Sequence, residues 1–266
     1  MGHGGVPTVI LCGGRGSRIS DVNPMVPKPL LPIGGRPVLW HIMKIYATAG
    51  HTEFVLALGH LGDQIRRYVL DYEALTCDFS IELGVPNSIE FHRAHPEKGW
   101  RVSCIDTGAE TQTGTRVRRA VEHIADGPVM ITYGDAVADI DIDALLAHHR
   151  AEGRLATVTA VRPVGRFGEL MIDGSRVADF AEKPQTTDGA ISGGFMVFER
   201  EAIDRYIPAG DDVMLEREPL SRLAADGQLT AYRHDGFWQP MDTPREHRLL
   251  EELWQTDAPW RIWNEE

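Results

Sequence analysis

Apolar positions in the first half of the chain fall into short unbroken runs separated by stretches with a helical period. Residues 8–12 (Thr-Val-Ile-Leu-Cys), 53–59 and 129–133 are rich in β-branched and aliphatic side chains, as in strands buried on both faces. Between them Leu39, Ile42, Met43 and Tyr46 recur at i, i+3, i+4 and i+7. That spacing predicts a helix over 37–50, with Gly50 at its stop. Residues 61–75 carry a second helical pattern. Val117, Ala120, Val121 and Ile124 predict a third from 116 onward, and Ile142, Leu145 and Leu146 a fourth over 141–153. Strand and helix in this alternation predict a parallel sheet covered on both faces.

The rhythm breaks twice. Residues 76–106 hold apolar runs at 79–83 and 100–105 around a polar middle, 87–99, which contains Pro96 and reads as a loop excursion. After 153 the texture turns strand-rich, with strands predicted over 155–162, 168–172, 176–180 and 194–198. Asp173-Gly174 is a two-residue hairpin signal. These strands predict an antiparallel part beside the parallel sheet. A helix over 215–226, a strand over 229–234 and a closing helix over 244–254 complete the pattern. The fold class is therefore α/β: a Rossmann-like, open, mostly parallel mixed sheet with helices on both faces, plus a smaller antiparallel C-terminal extension facing the substrate. No repeat or low-complexity linker interrupts the chain, so 8–263 reads as one domain and 1–7 as a flexible N-terminus.

Composition narrows the function. The chain has 266 residues, enough to bury a substantial core. Its formal net charge of −12 argues against nonspecific nucleic-acid binding, which needs a basic face. An anionic substrate would have to meet a locally basic pocket. Cys12, Cys77 and Cys104 are odd in number and lack a CxxC spacing, so neither a disulfide framework nor a zinc ribbon is indicated. No apolar run is long enough for a bilayer and no signal-peptide pattern is seen. The expectation is a cytoplasmic protein with no membrane partner.

Candidate chemistry gathers at the end of the first strand. It runs directly into Gly13-Gly14-Arg15-Gly16-Ser17-Arg18, and Pro27-Lys28-Pro29 follows. Glycines let consecutive amides converge on one anion, and Arg15, Arg18 and Lys28 add positive charge nearby. A phosphate loop is predicted. It is not a Walker A loop, which needs Gly-Lys-Ser/Thr, and the Rossmann fingerprint fails where its third glycine would stand, at Ile19. Tyr133-Gly134-Asp135 closes a core strand, the edge where open α/β sheets bind ligands. A carboxylate there suits Mg²⁺ bound alongside substrate phosphates. Asp139, Asp141 and Asp143 read as cap and helix-start residues, although Asp139-Ile140-Asp141 has the spacing of a glycosyltransferase metal motif. Asp242 or Thr243 reads as an N-cap before Pro244. Glu182-Lys183 reads as an exposed ion pair at a strand end, although a lysine point charge also suits a phosphate. Arg116 is either a solvated helix-start residue or a ligand. His41, His123, His148, His149 and His234 have no metal-ligand spacing, and Cys12 reads as a buried strand cysteine rather than a nucleophile.

Gly13 to Arg18, followed by Pro27-Lys28-Pro29-Leu30, resembles the signature of the sugar-1-phosphate nucleotidyltransferases. The continuation Ile33-Gly34-Gly35-Arg36-Pro37-Val38-Leu39-Trp40-His41-Ile42-Met43-Lys44 is similar to the branch acting on glucose 1-phosphate and CTP. The resemblance runs from about 9 to 263. It implies CTP and α-D-glucose 1-phosphate as substrates, CDP-glucose and pyrophosphate as products, Mg²⁺ as cofactor and a homo-oligomer. It implies that Leu11, Cys12, Gly13, Gly14, Arg15, Gly16, Ser17, Arg18, Lys28, Thr111, Arg116 and Gly134 bind the nucleotide. Arg18, Lys28 and Asp135 would be catalytic, and Asp135 and Asp242 would hold the metal. Gly168, Glu182, Lys183, Ser192 and Gly194 would hold the sugar phosphate. The chain departs from the family pattern at Thr115, Ala136 and Ser192, where glycine, glycine and asparagine are usual. The alternatives are a different nucleotide or sugar 1-phosphate, or a non-catalytic nucleotide-sugar-binding regulator.

Overall fold

A computed structural model of the chain describes residues 5–16, 19, 22–162, 169–173, 176–181 and 189–263. The elements in order are β1 (Thr8–Leu11), β2 (Pro32–Ile33), β3 (Arg36–Pro37), α1 (Val38–Thr48), β4 (Glu53–Leu58), α2 (Gly62–Leu70), α3 (Tyr72–Thr76), β5 (Phe79–Ser80), β6 (Glu90–Phe91) and β7 (Arg101–Asp106). Then come α4 (Thr113–Val121), β8 (Val129–Tyr133), β9 (Ala136–Ala138), α5 (Ile142–Glu152), β10 (Ala156–Val161), β11 (Glu169–Asp173), β12 (Arg176–Ala181) and β13 (Ile191–Phe198). The chain closes with α6 (Arg200–Tyr206), α7 (Glu218–Ala225), β14 (Leu229–His234), β15 (Trp238–Pro240) and α8 (Pro244–Thr256).

Seven strands form the central sheet in the order β14-β10-β13-β8-β1-β4-β7. β1 lies inside it, parallel to β8 and to β4. All four of its side chains are buried, as the unbroken run Thr-Val-Ile-Leu requires. Alternate residues feed opposite cores. Ile10, Leu56, Met130 and Phe195 pack with α1 and Trp260. Val9, Val55, Ile131 and Met196 pack with Val117, Ala120 and Val121 of α4 and Ile203 of α6. Each such aliphatic side chain contributes about 1.5–3 kcal/mol by leaving water.

The antiparallel part is divided between a separate β11–β12 hairpin and a strand inside the central sheet. β13 runs antiparallel to both β8 and β10, so it lies within the sheet rather than beside it. It also starts at Ile191, not at 194. Ser192 and Gly193 lack the apolar side chains that would have joined Ile191 to the run from 194. The hairpin expected around Asp173 is formed by β11 and β12, with Asp173 opposite Arg176. The helix predicted over 61–75 is broken at Asp71 into α2 and α3. Leu70 and Leu75 are 82% and 65% exposed, whereas Ile65 of α2 is buried.

Two local details bear on the site. Asp141 caps α5 as predicted, its Oδ1 accepting from Ala144 N at 2.8 Å. Asp139 is no cap: its Oδ1 faces His234 Nε2 at 2.9 Å. The Asp-Ile-Asp spacing therefore does not converge on a common point.

Candidate active site

At the carboxyl ends of β1 and β8 the chain leaves a cavity of about 330 Å³. Leu11, Cys12, Gly13, Gly14, Gly16, Lys28, Thr111, Arg116 and Gly134, expected at the nucleotide, all line it, and so do Asp135 and Asp242. Gly134 N donates to Leu11 O at 3.1 Å, which sets Asp135 beside the glycine-rich loop. Pro29, Gln112, Thr113 and Tyr133 also line the cavity and were not foreseen there. Tyr133 had a legible signal, since it precedes Gly134-Asp135 at a strand end. Ser17 and Arg18 lie outside the described residues.

Lys28 is the centre of the site. It opens a single 3₁₀ turn framed by Pro27 and Pro29, which fix φ on either side. Its Nζ donates to Asp135 Oδ2 at 2.7 Å and to Asp242 Oδ1 at 2.5 Å. Residues far apart in the sequence thus converge on one ammonium, itself only 10% exposed. Asp242 is delivered by the β9–β15 ladder, where Met241 N donates to Asp135 O at 2.8 Å. The cap of α8 is Thr243, which forms a capping box with Glu246. That settles the choice between Asp242 and Thr243 and leaves the Asp242 carboxylate for the cavity.

Arg116 is buried under the loop. Its guanidinium donates to Leu58 O at 3.0 Å, Thr107 Oγ1 at 2.8 Å, and Gly13 O and Ala109 O at 3.2 Å each. Burial draws its pKa down, yet arginine stays charged at neutral pH. A Cβ built on Gly13 would stand 2.2 Å from Arg116 Nη1, so glycine is what lets the loop lie on the guanidinium. In this conformation Arg116 organises the floor of the cavity, and it is not the solvated helix-start residue of the plainer reading. Arg15 is off the cavity wall. Its exposed guanidinium pairs with Glu110 at 2.6 Å. The Cys12 thiol is 1% exposed, and burial pushes its pKa well above the usual thiol range. It stays neutral and cannot act as a thiolate.

Of the sugar-side candidates, Gly168, Glu182 and Lys183 fall outside the described residues. Ser192 and Gly194 lie on β13, off the cavity wall. Gly194 has φ +82, and a Cβ there would come 2.4 Å from Tyr133 Cδ2, so the tyrosine ring rests on bare backbone. The departures from the family pattern are absorbed locally. Ala136 is 5% exposed, pairs with Pro240, and turns no methyl onto the cavity wall. Thr115 donates its hydroxyl to Asp211 O at 3.0 Å and accepts from Val213 N at 2.9 Å.

Among the described residues no cluster of three or more His, Cys, Asp or Glu side chains stands ready to hold a metal ion. Asp135 and Asp242 do fit a hard cation that takes one or two protein carboxylates and completes its shell with phosphate oxygens. They already share one positive charge. No helix among the described residues is long and apolar enough to cross a membrane.

A glycine-rich loop after the first core strand, with paired acids at the sheet's carboxyl edge, defines a nucleotide-binding α/β protein. More narrowly, the chain belongs to the nucleotidyl transferase family, whose model matches residues 7–243. It is 42% identical over 257 residues to glucose-1-phosphate cytidylyltransferases of Salmonella typhi and Salmonella typhimurium, covering 96% of this chain and 98% of each of them. HddC from Yersinia pseudotuberculosis shares the fold, with a TM-score of 0.69 at 20% identity over 94% of this chain and 99% of that one.

Proposed function

We propose that this protein transfers the cytidylyl group of CTP to α-D-glucose 1-phosphate, giving CDP-glucose and pyrophosphate. The observation that carries the reading is the Lys28 ammonium shared by Asp135 and Asp242 beside a glycine-lined cavity. A phosphate oxygen of the sugar 1-phosphate attacks the α-phosphorus in line. The new P–O bond forms as the bond to the β-phosphate oxygen breaks, and pyrophosphate leaves with that electron pair. A sugar phosphate is already anionic at neutral pH, so no general base is needed.

Positioning and charge neutralisation do most of the work in such chemistry. Backbone amides of the Gly13–Gly16 loop, with Arg15 and Arg18, hold the β- and γ-phosphates. Lys28 neutralises charge at the α-phosphate. The base lies against Thr111 and the loop that Arg116 supports. Gly168, Glu182, Lys183, Ser192 and Gly194 take the sugar phosphate. Asp135 and Asp242 would hold Mg²⁺, which when bound supplies further neutralisation across the reacting phosphates. Residues 8–263 act as one catalytic unit, in the cytoplasm and as a homo-oligomer.

The test is a panel of nucleoside triphosphates against sugar 1-phosphates, read by pyrophosphate release. CTP with glucose 1-phosphate should give the highest kcat/KM. A higher value with another nucleotide would overturn the base assignment, and one with another sugar the sugar assignment. Pyrophosphate release from no pair would overturn the activity.

A further inference from the structure

Glu216 lies outside the cavity, yet its carboxylate is bonded to two residues of the cavity wall. Tyr133, at the end of β8, donates its hydroxyl to Oε1. Thr113, at the start of α4, donates its hydroxyl to Oε2 at 2.6 Å. Thr113 Oγ1 also accepts from Leu215 N at 2.9 Å, so its proton is committed to Glu216. The segment that carries Glu216 is itself seated on α4, where Gly114 N donates to Val213 O at 3.0 Å. Beyond the hydroxyl, the Tyr133 ring rests against Gly194, where any side chain would collide with it. One carboxylate therefore links the Thr111–Thr113 rim to the β13 side of the site.

An acid at this place is costly for a protein whose substrates are anions. Its carboxylate bonds two hydroxyl donors rather than a cation, an arrangement that orients groups instead of neutralising charge. Burial, with Glu216 adding to it, raises the Tyr133 pKa, so the phenol remains a donor at neutral pH. We propose that Glu216 is a positioning residue for the transfer reaction: it pins the Tyr133 ring against Gly194 and so sets the sugar-phosphate side of the site. This rests on the reading that Gly194 belongs to that side.

Glu216→Ala releases both hydroxyls. With CTP saturating, its KM for glucose 1-phosphate should rise about tenfold, the effect of losing one charge-assisted hydrogen bond. In Tyr133→Phe, which keeps the Thr113–Glu216 bond of the nucleotide rim, KM for CTP should change by less than about threefold, well under the worth of the bond lost. Tyr133→Phe should reproduce the rise, and the double variant should add little to either single one. Glu216→Gln keeps an oxygen acceptor and should recover most of the affinity. Thermal melting of each variant checks that the fold is kept. An unchanged KM for the sugar phosphate, equal rises in both KM values in Tyr133→Phe, or full additivity of the two substitutions would overturn the positioning role. A wild-type enzyme that accepts no sugar 1-phosphate would instead reject the functional reading, and the proposal with it.

Discussion

Replacing Lys28 with methionine removes the ammonium that Asp135 and Asp242 share while keeping much of the side-chain volume. Breaking a fully buried ion pair in this one-sided way costs about 3–5 kcal/mol. Here Lys28 is 10% exposed but the two acids are 32% and 20% exposed, so water screens part of their repulsion. A loss of about 2 kcal/mol is left after that discount. For a chain of this length that lowers Tm by about 4–8 °C. The repulsion should also make the acids a stronger trap for a divalent cation. Added Mg²⁺ should therefore raise the Tm of the variant more than that of the wild type. In the mechanism proposed above Lys28 would act where charge develops on the transferring phosphoryl group, and removing one such group costs about 10²–10³ in kcat. Pyrophosphate release under saturating substrates measures the last effect, and melting with and without Mg²⁺ the first two. Turnover at the wild-type rate would remove Lys28 from the mechanism. Equal Tm and equal Mg²⁺ response would refute the electrostatic reasoning even if activity fell.

Arg116→Ala removes four donated hydrogen bonds under the loop and should cost about 2–4 kcal/mol in urea unfolding, with weaker CTP binding by calorimetry. Wild-type CTP affinity would show that the floor is not needed to form the nucleotide site. Gly13→Ala drives a methyl into the same guanidinium and should cost about 1–3 kcal/mol. Combined with Arg116→Ala it should cost less than the two changes added, and full additivity would contradict the contact. Stability should also fall with acid because of His41. Burial lowers its pKa to about 4, its Nε2–H bonds Ile33 O, and its Nδ1 accepts from Trp260 Nε1, so the native ring is neutral. The unfolded chain binds that proton near pH 6.5, so the stabilisation is complete above this pH and is lost as pH falls toward 4. The loss amounts to about 3 kcal/mol. His51 and His149, also lowered by burial, act in the same direction. A urea midpoint unchanged between pH 7 and pH 4.5 would refute this.

The sheet was legible where burial on both faces writes an unbroken apolar run, as in β1, β4 and β8. It was not legible where backbone alone makes the strand. β13 opens with Ile191-Ser192-Gly193-Gly194, and the bare backbone at Gly194 is what admits the Tyr133 ring. The helix break was not legible either: residues 61–75 read as one helix, whereas the chain divides at Asp71 and leaves Leu70 and Leu75 in solvent. In the site, residue type was readable and partnership was not. Gly13, Lys28 and Asp135 stand out as chemistry, whereas Asp242 reads as a cap and takes its role from the family resemblance alone. That one ammonium would join acids 107 and 214 residues away is a product of the β9–β15 ladder, three residues long and too short to leave a periodic signal. The burial of Arg116 beneath Gly13 is likewise a tertiary fact, written only in the glycine.

These partnerships explain how a chain of net charge −12 can keep a place for a triphosphate. Its local positive charge is stored in three different ways. Arg116 is held under the loop by neutral acceptors, so its field reaches the cavity without competition from an acid bonded to it. Arg15 is held by Glu110 where both are largely exposed, a pairing worth at most about 1 kcal/mol and easily exchanged for a phosphate. Lys28 is held by two half-buried carboxylates, a much firmer arrangement. An incoming nucleotide can draw Arg15 away by itself. To engage Lys28 it must bring a replacement cation for Asp135 and Asp242, so CTP affinity measured by calorimetry should fall sharply in a chelator. CTP bound equally well with and without Mg²⁺ would mean that the lysine never exchanges partners.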